Sequence, residues 1–132
     1  MNIKFSKSSA KENIKSKNQR DIIRQQVRQL RQDLTSKQQT DAALQLLARF
    51  SVDEKILSAN SIALYLSNDG ELDTEILIEW CWQQGKQVYL PVLHPFAKGH
   101  LLFLHYERRT PLVNNRFGIA EPKLDVSKVI VP

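Results

Sequence analysis

Residues Ser61–Val92, SIALYLSNDGELDTEILIEWCWQQGKQVYLPV, decide the fold. Ser61–Ser67 is a short, nearly continuous apolar run, the pattern of a strand covered on both faces. Asn68-Asp69-Gly70 ends it with a turn signal. Asp73 or Thr74 then caps a helix, because a short side-chain oxygen satisfies the first free backbone amides. Ile76, Leu77, Trp80 and Cys81 share one face of that helix, and Gly85 closes it. Gln87–Val92 is the next strand. A strand, a helix and a strand within ~30 residues predict two parallel strands joined by a right-handed crossover.

Working outward, His94–His100 is a loop marked by Pro95 and Gly99, and Leu101–Tyr106 is a third strand. So short a link cannot hold a crossover helix, so this strand is expected to run antiparallel to the second. Upstream, Ile23, Val27, Leu30 and Leu34 fall on one helical stripe, and Arg20, Arg24, Arg28 and Arg31 form a basic stripe beside it. Thr35 followed by Gln38 has capping-box spacing, so a second helix runs to about Phe50 with Ala43, Leu46, Leu47 and Phe50 inward. Downstream, residues 109–125 contain Pro111, Asn114-Asn115, Gly118 and Pro122 and read as irregular, before a last apolar stretch over Val126–Val131.

A chain of 132 residues with 42% hydrophobic residues supports one domain. Residues 1–18 are polar and lysine-bearing, so a basic flexible tail is expected there and an α/β domain over 19–132. Ten Lys or Arg stand against three acids in residues 1–37, a balance of +7; the whole chain carries +5, so the remainder sums to −2. The basic character therefore belongs to the amino-terminal arm and first helix, which attract polyanions without choosing among them. The single cysteine, Cys81, rules out an internal disulfide and a thiolate zinc cluster. No apolar run approaches the ~18 residues that span a bilayer, and the arm lacks the apolar stretch of a signal peptide, so a cytoplasmic location and no membrane partner are expected.

Two features bear on chemistry. Four arginines on one helix face suit phosphate oxygens, which the guanidinium fork binds through two donors, although a solvated face is the commoner fate of such a run. The acidic turn Asp69, Glu71 and Asp73 follows a buried strand, at the carboxyl end where open α/β sheets gather ligands. Both also have structural uses, as a turn and a helix cap. Trp80, Trp82, Tyr65 and Tyr89 are expected in the core rather than on a stacking platform. The four glycines lie too far apart for a phosphate-cradling loop, and the three histidines lack metal-binding spacing, so no metal ligand is expected and no catalytic residue emerges. From the residues alone the reading ends at an α/β domain with an anion-binding edge.

Four motifs in one order extend it. Arg20-x-x-Ile23-Arg24-x-x-x-Arg28-x-x-Arg31-x-x-Leu34-Thr35 resembles the opening helix of the 5-formyltetrahydrofolate cyclo-ligase family. Ala63-Leu64-Tyr65-Leu66-Ser67-Asn68-Asp69-Gly70-Glu71-Leu72-Asp73-Thr74 is similar to its strand followed by Glu-hydrophobic-acid-Thr. Gly85-Lys86-Gln87-Val88-Tyr89-Leu90-Pro91 resembles the family's entry into the next strand, and Gly118-Ile119-Ala120-Glu121-Pro122 its Gly-Ile-x-Glu-Pro. The resemblance implies a Rossmann-like open, mostly parallel sheet flanked by helices. It implies ATP and 5-formyltetrahydrofolate as substrates, Mg2+ as cofactor and 5,10-methenyltetrahydrofolate as product. Carried over by position, Arg20 and Arg24 become ATP-binding residues, and Leu66 and Glu71 substrate-binding residues; Arg20 stands where the family usually has Lys.

The family continues beyond the position of Pro132 into further strands and a Gly-rich loop that cradles phosphates and helps hold magnesium. The expectation is therefore a domain truncated before its last strands and inactive alone, which self-associates or is completed by a carboxyl-terminal polypeptide. Two other classes compete. One is a non-catalytic folate- or nucleotide-binding fragment. The other is a basic nucleic-acid-binding protein, ranked lower because the arm has no stacking aromatic beyond Phe5.

Overall fold

The computed structural model describes residues 3–130, with side chains from residue 13 onward. The chain divides between Leu34 and Thr35 into two compact units. The first contains one helix, α1 (Ile3–Gln32). The second contains α2 (Ser36–Phe50), α3 (Glu54–Ser58), β1 (Ser61–Ala63), α4 (Glu75–Gln83), β2 (Gln87–Leu93), β3 (Leu101–Tyr106), β4 (Leu112–Asn114), β5 (Ala120–Pro122) and β6 (Val129–Ile130), which a single 3-10 turn at Val126–Lys128 precedes.

The second unit is an α/β fold built on a four-stranded sheet in the order β1-β2-β3-β6. β1 and β2 are parallel, with Ser61 opposite Gln87 and Ala63 opposite Tyr89. β3 runs antiparallel to β2 over six pairs, from Val88 with Tyr106 to Leu93 with Leu101, and β6 is antiparallel to β3. Three of the four strands thus share one direction and β3 alone is reversed. The cause is the link over residues 94–100, which is too short to carry the chain back across the sheet.

Local chemistry sets the helix limits. At the start of α2, Thr35 Oγ1 accepts from the Gln38 amide at 3.1 Å while Gln38 Oε1 accepts from the Thr35 amide at 2.9 Å, a complete capping box. At the start of α4 the two expected caps divide the work. The Asp73 carboxylate accepts from the Glu75 amide at 2.9 Å, whereas Thr74, buried, donates its hydroxyl to the Tyr65 carbonyl and ties the helix to the chain leaving β1. At the other end Gly85 has φ +72°. The Lys86 amide reaches the Cys81 carbonyl at 2.9 Å and the Gly85 amide reaches Trp82 at 3.0 Å, which satisfies the last free carbonyls of the helix.

The core sits between α4 and one face of the sheet: Ile78 and Cys81 pack on Val88 and Leu90, with Phe50, Ile62, Leu64 and Leu66 around them. Trp80 meets the edge of Phe50 at 5.6 Å between ring centroids, and Trp82 donates its indole N–H to the Tyr106 carbonyl at 3.1 Å. Both tryptophans therefore pack.

Three boundaries differ from expectation. β1 pairs only over Ser61–Ala63, and the run to Ser67 is not covered on both faces: Ile62, Leu64 and Leu66 are half-buried while Ala63 is exposed and Tyr65 is 41% exposed. A continuous apolar run cannot report which of its faces a neighbour covers. Residues 109–125, expected to be irregular, contain the β4–β5 hairpin, whose loop is held by Asn115 Oδ1 accepting from the Phe117 and Ile119 amides. Its strands are three residues long and exposed at β4, too short for an alternating pattern to register. The last stretch is strand only over Val129–Ile130 among the described residues. Ahead of these elements, α1 is continuous from Ile3 to Gln32, in a stretch without Gly or Pro.

Candidate functional site

The turn after β1 carries the sequence-derived candidates Leu66 and Glu71. Asp69 and Gly70 have φ of 53° and 75°, and the Glu71 amide donates to the Asn68 carbonyl at 3.1 Å, which makes a tight turn with two left-handed central residues. Glu71 then turns its carboxylate back on the turn, where Oε1 accepts from the Asn68 amide at 3.1 Å. Gln39 of α2 donates to the Gly70 carbonyl at 2.8 Å and fixes the loop from the helix side. One carboxylate oxygen of Glu71 is thus committed to holding the loop's shape, and no protein donor meets the other among the described residues.

Beside this turn a cleft of about 500 Å3 runs along α4, lined by Leu66, Thr74, Ile78, Trp82, Tyr106 and Arg108 among others. Leu66 faces it; Glu71 does not line it but stands on the same loop five residues on. At its far end Arg108 grips Glu79 through both guanidinium nitrogens, with Nη1 at 2.7 Å from Oε2, and lies 4.9 Å from the ring centroid of Trp82. The Arg108 hydrogen bonds hold the Glu79 carboxyl below its ordinary value, and Glu79 raises Arg108 in return. Burial pushes the Tyr106 phenol up, and the charge of Glu75 adds to the shift, so Tyr106 remains a hydrogen-bond donor in the cleft. Burial also raises the Cys81 thiol, against a smaller opposing effect of Lys86. The Glu79–Arg108 pair joins residues 29 apart and had no local signal in the sequence.

Arg20 and Arg24 lie one turn apart on α1, in the other unit, and both are exposed. Arg24 Nη1 is 3.4 Å from Asp21 Oδ1, an exposed pair one turn apart that is worth no more than ~0.5 kcal/mol and leaves the guanidinium available to a stronger anion. Among the described residues no group of three His, Cys, Asp or Glu is placed to hold a metal ion. His94 instead accepts from the Phe96 and Ala97 amides through Nδ1, at 3.1 and 2.9 Å, and so shapes the β2–β3 loop. Among the described residues no helix is long and apolar enough to cross a membrane.

The 5-formyltetrahydrofolate cyclo-ligase family model matches residues 16–130. The chain belongs to that family. It is 50% identical over 104 residues to 5-formyltetrahydrofolate cyclo-ligase of Escherichia coli (strain K12), across 79% of this chain and 57% of that protein. The protein of the same name from Haemophilus influenzae is 47% identical over 111 residues, across 84% of this chain and 59% of that protein. The chain therefore spans under three-fifths of the length of these relatives. In fold it is similar to the NMR structure of Aquifex aeolicus 5,10-methenyltetrahydrofolate synthetase, with a TM-score of 0.68 at 18% identity over 83% of this chain and 54% of that one. A Mycoplasma pneumoniae 5,10-methenyltetrahydrofolate synthetase gives 0.55 at 15% identity, over 65% and 52%.

As a cyclo-ligase family member the chain uses two of its four motifs to hold the fold. Lys86, after Gly85, donates its ammonium to the Leu57 and Ala59 carbonyls at 2.9 and 2.6 Å and so closes α3. Glu121 Oε2 accepts from the Leu93 amide at 3.2 Å and from Asn115 Nδ2 at 3.4 Å, which pins the β4–β5 hairpin to the end of β2, with Pro122 buried beneath. The motif that contains Glu71 is the one with a carboxylate oxygen to spare.

Proposed function

We propose that the chain takes part in the ATP-dependent conversion of 5-formyltetrahydrofolate to 5,10-methenyltetrahydrofolate. In this reaction ATP phosphorylates the formyl oxygen on N5, N10 attacks the activated carbon, and phosphate leaves, which turns a poor leaving group into a good one. The observation that carries the reading is the turn at Asn68–Glu71, beside a cleft that Leu66 lines, in a chain of this family. In the proposed roles the second oxygen of Glu71 accepts a hydrogen bond from the folate, Leu66 gives it apolar contact, and Arg20 and Arg24 offset charge on the ATP phosphates. Mg2+ would screen the same phosphates; with no three-ligand cluster among the described residues, no step is assigned through it.

The test is equilibrium binding of 5-formyltetrahydrofolate to the purified chain. Glu71→Gln keeps an oxygen for the Asn68 amide and removes the charge. It should weaken binding roughly tenfold, as for loss of a charge-assisted hydrogen bond, while the urea midpoint stays put. Equal affinity in the variant would overturn the role of Glu71, and no saturable binding in either protein would overturn the folate reading.

A further inference from the structure

The peptide group between Gly70 and Glu71 is held at both of its polar ends. Its carbonyl accepts from Gln39 Nε2 at 2.8 Å, and its N–H donates to the Asn68 carbonyl at 3.1 Å. Because the peptide is planar, fixing both ends fixes ψ of Gly70 and φ of Glu71, and with them the direction in which the Glu71 side chain leaves the backbone. Gly70 supplies no such restraint by itself, since a residue without Cβ reaches conformations on both sides of φ zero. The Asn68 contact is internal to the turn. The Gln39 contact comes from 31 residues away and ties the turn to α2.

Gln39 is itself held by local chemistry. Its amide donates to the Thr35 carbonyl at 3.0 Å, and the Thr35–Gln38 capping box closes the same turn of helix. The box that starts α2 thus also sets the place of the side-chain donor that reaches Gly70. One oxygen of Glu71 is taken by the Asn68 amide, so the direction of the other follows from the geometry of this clamped turn. A carboxylate already fixed in its binding direction spends less of its interaction on being ordered.

We propose that Gln39 is a positioning residue for Glu71: by holding the Gly70 carbonyl it sets where the second carboxylate oxygen points, a role that rests on the reading of that oxygen as the folate's acceptor.

The experiment combines equilibrium binding of 5-formyltetrahydrofolate with 13C chemical shifts of the labelled full chain. Gln39→Ala removes the donor at a helix position that Ala favours. It should weaken binding roughly fivefold, as for loss of one neutral hydrogen bond, and move the Gly70 carbonyl and Glu71 carboxyl resonances. Gln39→Glu, of equal length but without the donor, should act alike, whereas Gln39→Lys, which keeps a donor of similar reach, should restore most of the affinity. In a Glu71→Ala background Gln39→Ala should cost nothing further, because no carboxylate is left to direct. Wild-type affinity in Gln39→Ala, or an equal loss in the Glu71→Ala background, would overturn the proposal and leave the folate reading intact. If the wild-type chain binds no folate, that reading falls, and the two resonances alone decide the positioning: moved in Gln39→Ala they support it, unmoved they overturn it.

Discussion

Gly70 shows how much a single position contributes to the candidate site. Its φ of 75°, next to 53° at Asp69, lets the chain reverse in two residues and brings the Glu71 carboxylate back to the Asn68 amide. A side chain at such a φ costs ~1–2 kcal/mol per residue. Gly70→Ala is therefore expected to lower unfolding free energy by about that amount in urea titrations, and to weaken folate binding through the displaced Glu71. The Glu79–Arg108 pair sets a pH dependence. The folded state lowers the Glu79 pKa from its ordinary 4.5, so the pair's stabilisation is present above that value and is lost as pH falls through the depressed pKa. In denaturation curves taken from pH 6 to pH 3, the wild type should lose its advantage over Arg108→Ala as acid is added; a constant gap between the two would show that the pair contributes nothing through Glu79 titration.

Among the elements, the same cation that sits in a family motif closes a neighbouring helix. Lys86→Met keeps the apolar stem and removes both ammonium hydrogen bonds to the end of α3, so a loss of ~1–3 kcal/mol is expected by urea unfolding, with folate affinity unchanged. Elements whose signals are local could be read from the sequence. The Thr35–Gln38 box and the Gly85 closure act within one turn, and α2, α4 and the β1–α4–β2 unit follow from them. What could not be read depends on neighbours distant in the chain. Tyr65 looks as apolar as Leu64, yet it falls on the exposed face of the chain leaving β1, and Arg108 has no sign of Glu79 near it. The site divides the same way. The acidic turn after a strand pointed to Glu71, the helical spacing of arginines pointed to Arg20 and Arg24, and Leu66 was indistinguishable from other strand residues without the family motif.

For the molecule as a whole, the edges of the sheet matter most. β1 is paired on one side by β2 and has no strand on its other side among the described residues. An open parallel edge invites pairing with a second chain. Sedimentation is expected to show association that grows with concentration, and Ala63→Lys, at an exposed edge position, should reduce it; a monomer at all concentrations would rule out β1 as a sticky edge. The reversal of β3 has a further consequence, for the order of folding. Its pairs with β2 begin only eight residues apart in sequence, at Leu93 and Leu101, so that hairpin closes over a short loop in the time scale of microseconds. β1 must wait until α4 has spanned the 26 residues between Ser61 and Gln87. Docking of β1, which fixes the Glu71 turn against the sheet, therefore follows closure of the hairpin, and an opening that frees β1 would carry the family's candidate substrate loop away while β2 and β3 stay paired.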